Sequence, residues 1–122
     1  MKIAVFENEY DAAVKTPFQA VSIIYFSNTL QIENFPSSQS FGDLSRIISY
    51  DRVFIDIDLS RNSEKDGFDV AKEILKLGYP VSQIIILTGH LGINSKIIEK
   101  DLPNLKVVTK PIFLDDLKKA IE

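Results

Sequence analysis

Four short apolar runs in this chain end in polar side chains of complementary chemistry. Ile3-Ala4-Val5-Phe6 leads into Glu7-Asn8-Glu9, and Val53-Phe54-Ile55 leads into Asp56-Ile57-Asp58. Ile84-Ile85-Ile86-Leu87 leads into Thr88-Gly89-His90, and Val107-Val108 into Thr109-Lys110-Pro111. If one surface gathers these endings, several carboxylates meet a hydroxyl and an ammonium. Clustered carboxylates repel one another unless a cation or a proton offsets them. With oxygen donors and no thiolate, the metal that suits such a group is Mg²⁺, which takes a few carboxylates and keeps several waters. Metal, ammonium and hydroxyl together are what a phosphoryl group needs. The first two neutralise its oxygens, the hydroxyl donates a hydrogen bond, and a carboxylate can attack phosphorus.

Composition narrows the field further. The chain has 122 residues, 45% hydrophobic and 25% charged, which suits one globular domain of about 100–150 residues and argues against intrinsic disorder. A net charge of -3 lacks the basic footprint of a nucleic-acid binder. Zero cysteines exclude disulfides, thiolate metal sites and cysteine nucleophiles. A single histidine excludes multi-histidine metal sites. No apolar run approaches the roughly 20 residues of a membrane span, and Glu7 follows the first run too soon for a signal peptide. The expectation is a cytoplasmic protein with neither a membrane nor a nucleic acid as partner.

The elements that must carry these residues are legible in outline. The four runs are brief, rich in β-branched residues and continuous, as in parallel strands covered on both faces. Leu30-Gln31-Ile32-Glu33-Asn34-Phe35 alternates instead and reads as a half-exposed edge strand. Thr16-Pro17-Phe18-Gln19 reads as a capping box with proline at the first helical position, opening a helix to about Phe26. Asp43 to Tyr50 is a short amphipathic stretch. Phe68, Ala71, Ile74 and Leu75 share a helical face ending at Gly78. Asn94 or Ser95 caps a short helix through Ile97 and Ile98, and Leu114, Leu117 and Ile121 stripe a final one. Five β-α units in sequence predict an open α/β sheet with helices on both faces. Ligands of such sheets bind beyond the carboxyl ends of the strands, where strand order reverses.

Together these residues resemble a response-regulator receiver domain of two-component signalling. The resemblance rests on Ile3 to Glu9, Asp51 to Leu59, Asp66-Gly67-Phe68, Ile84 to Gly89 and Lys110-Pro111, and on the spacing between them. It implies one receiver domain over residues 1–122, with a flavodoxin-like doubly wound sheet of five parallel strands in the order 2-1-3-4-5. It also implies that Asp56 is phosphorylated by a histidine kinase. Mg²⁺ would be held at Glu7, Asn8 and Asp56, with a backbone carbonyl from Asp58. Thr88 would be the switch hydroxyl, followed by the small Gly89, and Lys110 would pair with the phosphoryl oxygens, its bond to Pro111 cis. The implied partners are a sensor histidine kinase or phosphotransfer protein and an output protein, with the chain a monomer or weak homodimer. Such a domain is a phosphoacceptor, not a turnover enzyme.

Two positions depart from the family pattern. Asn8 replaces one carboxylate of an acidic pair, which keeps an oxygen donor, removes a charge and should weaken Mg²⁺ binding. Val107 stands three positions before the lysine, where an aromatic switch residue is expected, and a valine cannot swing as a tyrosine does. Both are compatible with a second reading, a receiver that is never phosphorylated and acts as an interaction module. A third reading is a haloacid-dehalogenase-like phosphatase, since Asp56-Ile57-Asp58 resembles its nucleophile motif. That family carries the motif on its first strand, and here it follows a later one. By the receiver resemblance His90, two residues after Thr88, falls beside the phosphoryl group.

Overall fold

The computed structural model describes residues 1–59 and 61–122. The apolar runs become strands because their β-branched side chains pack on both pleated faces. They form β1 (Lys2–Phe6), β3 (Arg52–Asp56), β4 (Ile84–Thr88) and β5 (Lys106–Thr109), with β2 (Gln31–Phe35) at one edge. All pairings are parallel, and the sheet runs β2-β1-β3-β4-β5. This is the expected flavodoxin-like order. The edge strand is half-buried on both faces, with Ile32 packed on one core and Phe35 on the other.

Among the described residues, four α-helices cover the sheet: α1 (Lys15–Tyr25), α2 (Gly67–Lys76), α3 (Ile93–Glu99) and α4 (Leu114–Ile121). One core, with Val14, Phe18, Val21, Leu117 and Ile121, lies under α1 and α4. The other, with Phe68, Ala71, Ile74, Ile93 and Ile97, lies under α2 and α3. As expected, α2 ends before Gly78, whose φ of 88° is the left-handed value that terminates helices.

Three sequence expectations need correction. The fifth helix is absent: between β2 and β3 the chain makes two 3₁₀ turns, Gln39–Phe41 and Leu44–Ser49. Gly42 breaks the segment at φ 82°, and Asp43 caps the second turn through the Ser45 amide. Aromatic rings fill the space instead, with Phe41 centred 5.6 Å from Phe6 and 4.7 Å from Phe35. Between these turns and α2 lies a groove lined by Gln39, Leu44, Lys65, Lys76 and Leu77, and no candidate site residue borders it.

The capping box at Thr16 does not form either. A wide π-turn over Tyr10–Val14 runs directly into α1 at Lys15, so Pro17 is the third residue of the helix. A wide turn suits a proline there, because a regular one would press its ring on the carbonyl four residues earlier. Finally, α3 is capped by Gly92 at φ 73°, one residue before its start, and Asn94 and Ser95 lie inside it.

Candidate functional site

The parallel register brings the polar strand ends to one edge. Asp56 is the last residue of β3 and pairs with Leu87, so Thr88 ends β4 one step further on. Thr88 in turn pairs with Thr109, and the amide of Lys110 donates to the Thr88 carbonyl at 2.8 Å. Glu7 follows β1, anchored by its amide to the Phe35 carbonyl at 3.1 Å. Asn34 of β2 fixes the same corner, its Nδ2 donating to the carbonyls of Val5 and Glu7 at 3.1 and 2.9 Å.

Lys110 crosses the sheet edge to reach both acids. Its Nζ donates to Glu7 Oε2 at 2.6 Å and to Asp56 Oδ2 at 2.7 Å. The Glu7 side chain is fully buried and that of Asp56 is 6% exposed, so two carboxylates share one ammonium out of water. Their remaining oxygens are held by backbone amides, Glu7 Oε1 by Glu9 at 3.0 Å and Asp56 Oδ1 by Asp58 at 2.8 Å. Thr88 is buried, and its Oγ1 accepts from the His90 amide at 3.0 Å.

The electrostatics follow from this crowding. Burial, then the neighbouring Asp56 carboxyl, pushes the Glu7 carboxyl above its ordinary range, against the pull of Lys110 and the Glu9 amide. Burial pulls the Lys110 ammonium downward, but its hydrogen bonds to Asp56 and Glu7 outweigh that and hold its pKa above the usual lysine value. A permanent cation therefore stands beside Asp56 at neutral pH.

The expected site residues do not all converge. Glu7, Asp56 and Lys110 touch, and Thr88 ends the adjacent strand. The Asn8 side chain is exposed, and the Asp58 carboxylate turns outward to meet His90 Nε2. Among the described residues, no three acidic or histidine side chains form a metal-binding group. Mg²⁺ needs no such cage, since one or two carboxylates, water and phosphate oxygens suffice. The all-oxygen pair of Glu7 and Asp56 fits it. Val107 is half-buried against the α2–α3 core, and the Lys110–Pro111 peptide is cis. Asp115 and Asp116 lie exposed in the first turn of α4.

Sequence reasoning missed the amides of Glu9, Asp58 and His90. Each bonds the acceptor side chain two residues earlier, a pattern that Asp and Thr at strand ends favour.

No protein-family model matches the chain, and no curated protein sequence does. Its fold does match solved structures. The chemotaxis protein CheY4 of Vibrio cholerae superposes with a TM-score of 0.68 at 17% identity, covering 98% of this chain and 94% of that one. The signal receiver domain of a DNA-binding response regulator from Colwellia psychrerythraea gives 0.69 at 21% identity, covering 99% and 94%. A two-component response regulator from Clostridium difficile gives 0.66 at 22% identity, again covering 99% and 94%. At these identities the likeness establishes the fold.

Proposed function

We propose that residues 1–122 are a receiver domain that accepts a phosphoryl group on Asp56 and signals through the change that follows. The observation that carries this reading is the Lys110 ammonium bridging Asp56 and Glu7, 2.7 and 2.6 Å away. A half-buried lysine held between two buried carboxylates at the switch point of a doubly wound sheet is an anion-neutralising device waiting beside a nucleophile.

In the transfer, an Asp56 carboxylate oxygen attacks phosphorus on a phosphohistidine of the donor. The new P–O bond forms as the P–N bond breaks, and the leaving imidazole takes a proton from solvent. Lys110 offsets charge on the phosphoryl oxygens, and the Thr88 hydroxyl turns from its local bond to donate to one of them. Glu7 and Asp56, with the Asn8 amide and the Asp58 carbonyl, would hold Mg²⁺, which when bound neutralises the transferring oxygens. With Asn8 uncharged, Lys110 carries a larger share of that neutralisation.

The donor is a sensor histidine kinase or phosphotransfer protein, and the readout is altered affinity for an output protein, as expected of a cytoplasmic signalling domain. Val107 leaves no aromatic rotamer to relay the change, so the relay runs through Thr88 and the loop into α3. Asn8 and Val107 also favour a second reading, an interaction module that is never modified. Incubation with a small phosphodonor and Mg²⁺ separates the two. An adduct lost in Asp56→Asn supports the first reading, no adduct supports the second, and sustained phosphomonoester turnover would favour a phosphatase.

A further inference from the structure

The edge strand β2 ends at Phe35, one residue before Pro36, and leaves its neighbour a donor short. Val5 stands opposite Asn34 and Phe6 opposite Phe35, and the Glu7 amide donates to the Phe35 carbonyl at 3.1 Å. The next bond of a regular parallel ladder would run from the Ser37 amide to the Glu7 carbonyl. That amide donates instead to Ser40 Oγ at 3.1 Å. The Asn34 side chain takes its place, with Nδ2 2.9 Å from the Glu7 carbonyl and 3.1 Å from that of Val5. A carboxamide nitrogen carries two protons, one for each oxygen. Asn34 thereby clamps the backbone on both sides of Phe6. The residue it clamps last is the one whose buried carboxylate meets Lys110.

We propose that Asn34 is a positioning residue for the metal site, setting the affinity for Mg²⁺ by fixing the backbone from which Glu7 projects. The proposal rests on the reading in which Glu7 and Asp56 hold Mg²⁺ beside the phosphoacceptor. Both Glu7 oxygens already have partners, the Glu9 amide at 3.0 Å and Lys110 Nζ at 2.6 Å. A metal must compete for them, so a carboxylate that rocks on a loose backbone loses more than one held still. With Asn8 uncharged, Glu7 carries a larger share of the attraction for a cation, and its placement weighs more. Only a donor serves at position 34. Asn34→Asp keeps the shape, but a carboxylate has no proton to give and sets a charge against two carbonyl oxygens.

The test titrates the full chain with Mn²⁺, the free ion being read by its EPR signal, in wild type, Asn34→Asp, Asn34→Ala and Gln31→Ala. Gln31, exposed at the start of the same strand, is the control. Both Asn34 variants should bind about tenfold more weakly, the usual loss when the partner that orients a metal ligand is removed, and the control should match wild type. Added negative charge alone would tighten the site, so tighter binding in Asn34→Asp overturns the proposal, as does unchanged binding in Asn34→Ala. A second readout is phosphorylation by carbamoyl phosphate against Mg²⁺ concentration, followed by intact mass. Half-saturation should shift upward in both Asn34 variants while the rate at saturating Mg²⁺ stays that of wild type, because Asp56, Thr88 and Lys110 are untouched. A general loosening of the fold would lower the saturating rate as well, and that result also overturns the proposal. If wild type binds Mn²⁺ but takes up no phosphoryl group, the phosphoacceptor reading fails and the titration alone decides. If wild type binds no Mn²⁺, the metal site itself falls and the role of Asn34 with it.

Discussion

Gly67 lies so close to the Asp56 carbonyl that a β-carbon on it would stand 2.3 Å from that oxygen. The same atom would stand 2.5 Å from the α-carbon of Ile57. The start of α2 is therefore pressed directly on the end of the strand that carries Asp56. The Gly67 amide donates to the Ile57 carbonyl at 3.4 Å, and Asp66 caps the helix by accepting from the Asp69 amide at 2.8 Å.

Gly67→Ala should consequently push α2 off β3. Overpacking of this kind costs about 1–3 kcal/mol, or a melting temperature lower by about 4 °C per kcal/mol for a domain of this size. Gly89→Ala is the control, because nothing lies within 4 Å of a β-carbon there. Thermal denaturation of both checks this, and equal midpoints would contradict the close contact.

Lys110→Met should leave Glu7 and Asp56 buried side by side without a cation. Removing one partner of a buried ion pair costs about 3 kcal/mol at neutral pH. The variant's carboxyls should then hold protons more tightly folded than unfolded, so the folded state binds more protons and stability falls as pH rises. The deficit against wild type should shrink as the pH drops through about 4 toward about 3, where carboxyls are protonated in either state. Urea denaturation at several pH values measures it, and a deficit that grows on acidification would contradict the assignment.

Tyr79 sets an alkaline limit. Its hydroxyl is buried and donates to the Tyr50 carbonyl at 2.7 Å, and burial first of all pushes its pKa up to about 12. Between about pH 10 and 12 the unfolded chain has lost this proton while the folded one keeps it, so stability falls with rising pH by about 2–3 kcal/mol in all. Tyr79→Phe should flatten this decline while lowering stability at pH 7 by about 1–3 kcal/mol, since the Tyr50 carbonyl loses its donor. The decline will not vanish, because Tyr10 and Tyr50 are also held above their usual range. Superimposable alkaline profiles would contradict this role.

The parts of the fold written in local apolar pattern were legible. The strand runs, the edge character of Gln31–Phe35 and the helix stop at Gly78 are local signals, and the strand order followed from the family resemblance. The missing helix after β2 was not legible, because Asp43–Tyr50 is amphipathic whichever way it coils. The break at Gly42 and the aromatic packing of Phe41 and Tyr50 against Phe6 and Phe35 decide it together. The π-turn before Pro17 likewise depends on how Tyr10 and Val14 seat in the core. At the site, the pairing of Lys110 with Asp56 followed from strand-end chemistry plus topology. The need for glycine at 67 and the meeting of His90 with Asp58 follow only from contacts between segments distant in sequence, which spacing does not encode.

The central claim is that Asp56 is a phosphoacceptor whose transferred charge is met by Lys110 and Mg²⁺. Intact-mass measurement after incubation with a small phosphodonor and Mg²⁺ tests it most directly, repeated with the metal chelated and in Asp56→Asn. The account predicts a mass gain of one phosphoryl group in wild type, lost with chelator and absent from the variant. An unmodified wild-type mass at saturating donor and Mg²⁺, or an adduct that persists in Asp56→Asn, would contradict it.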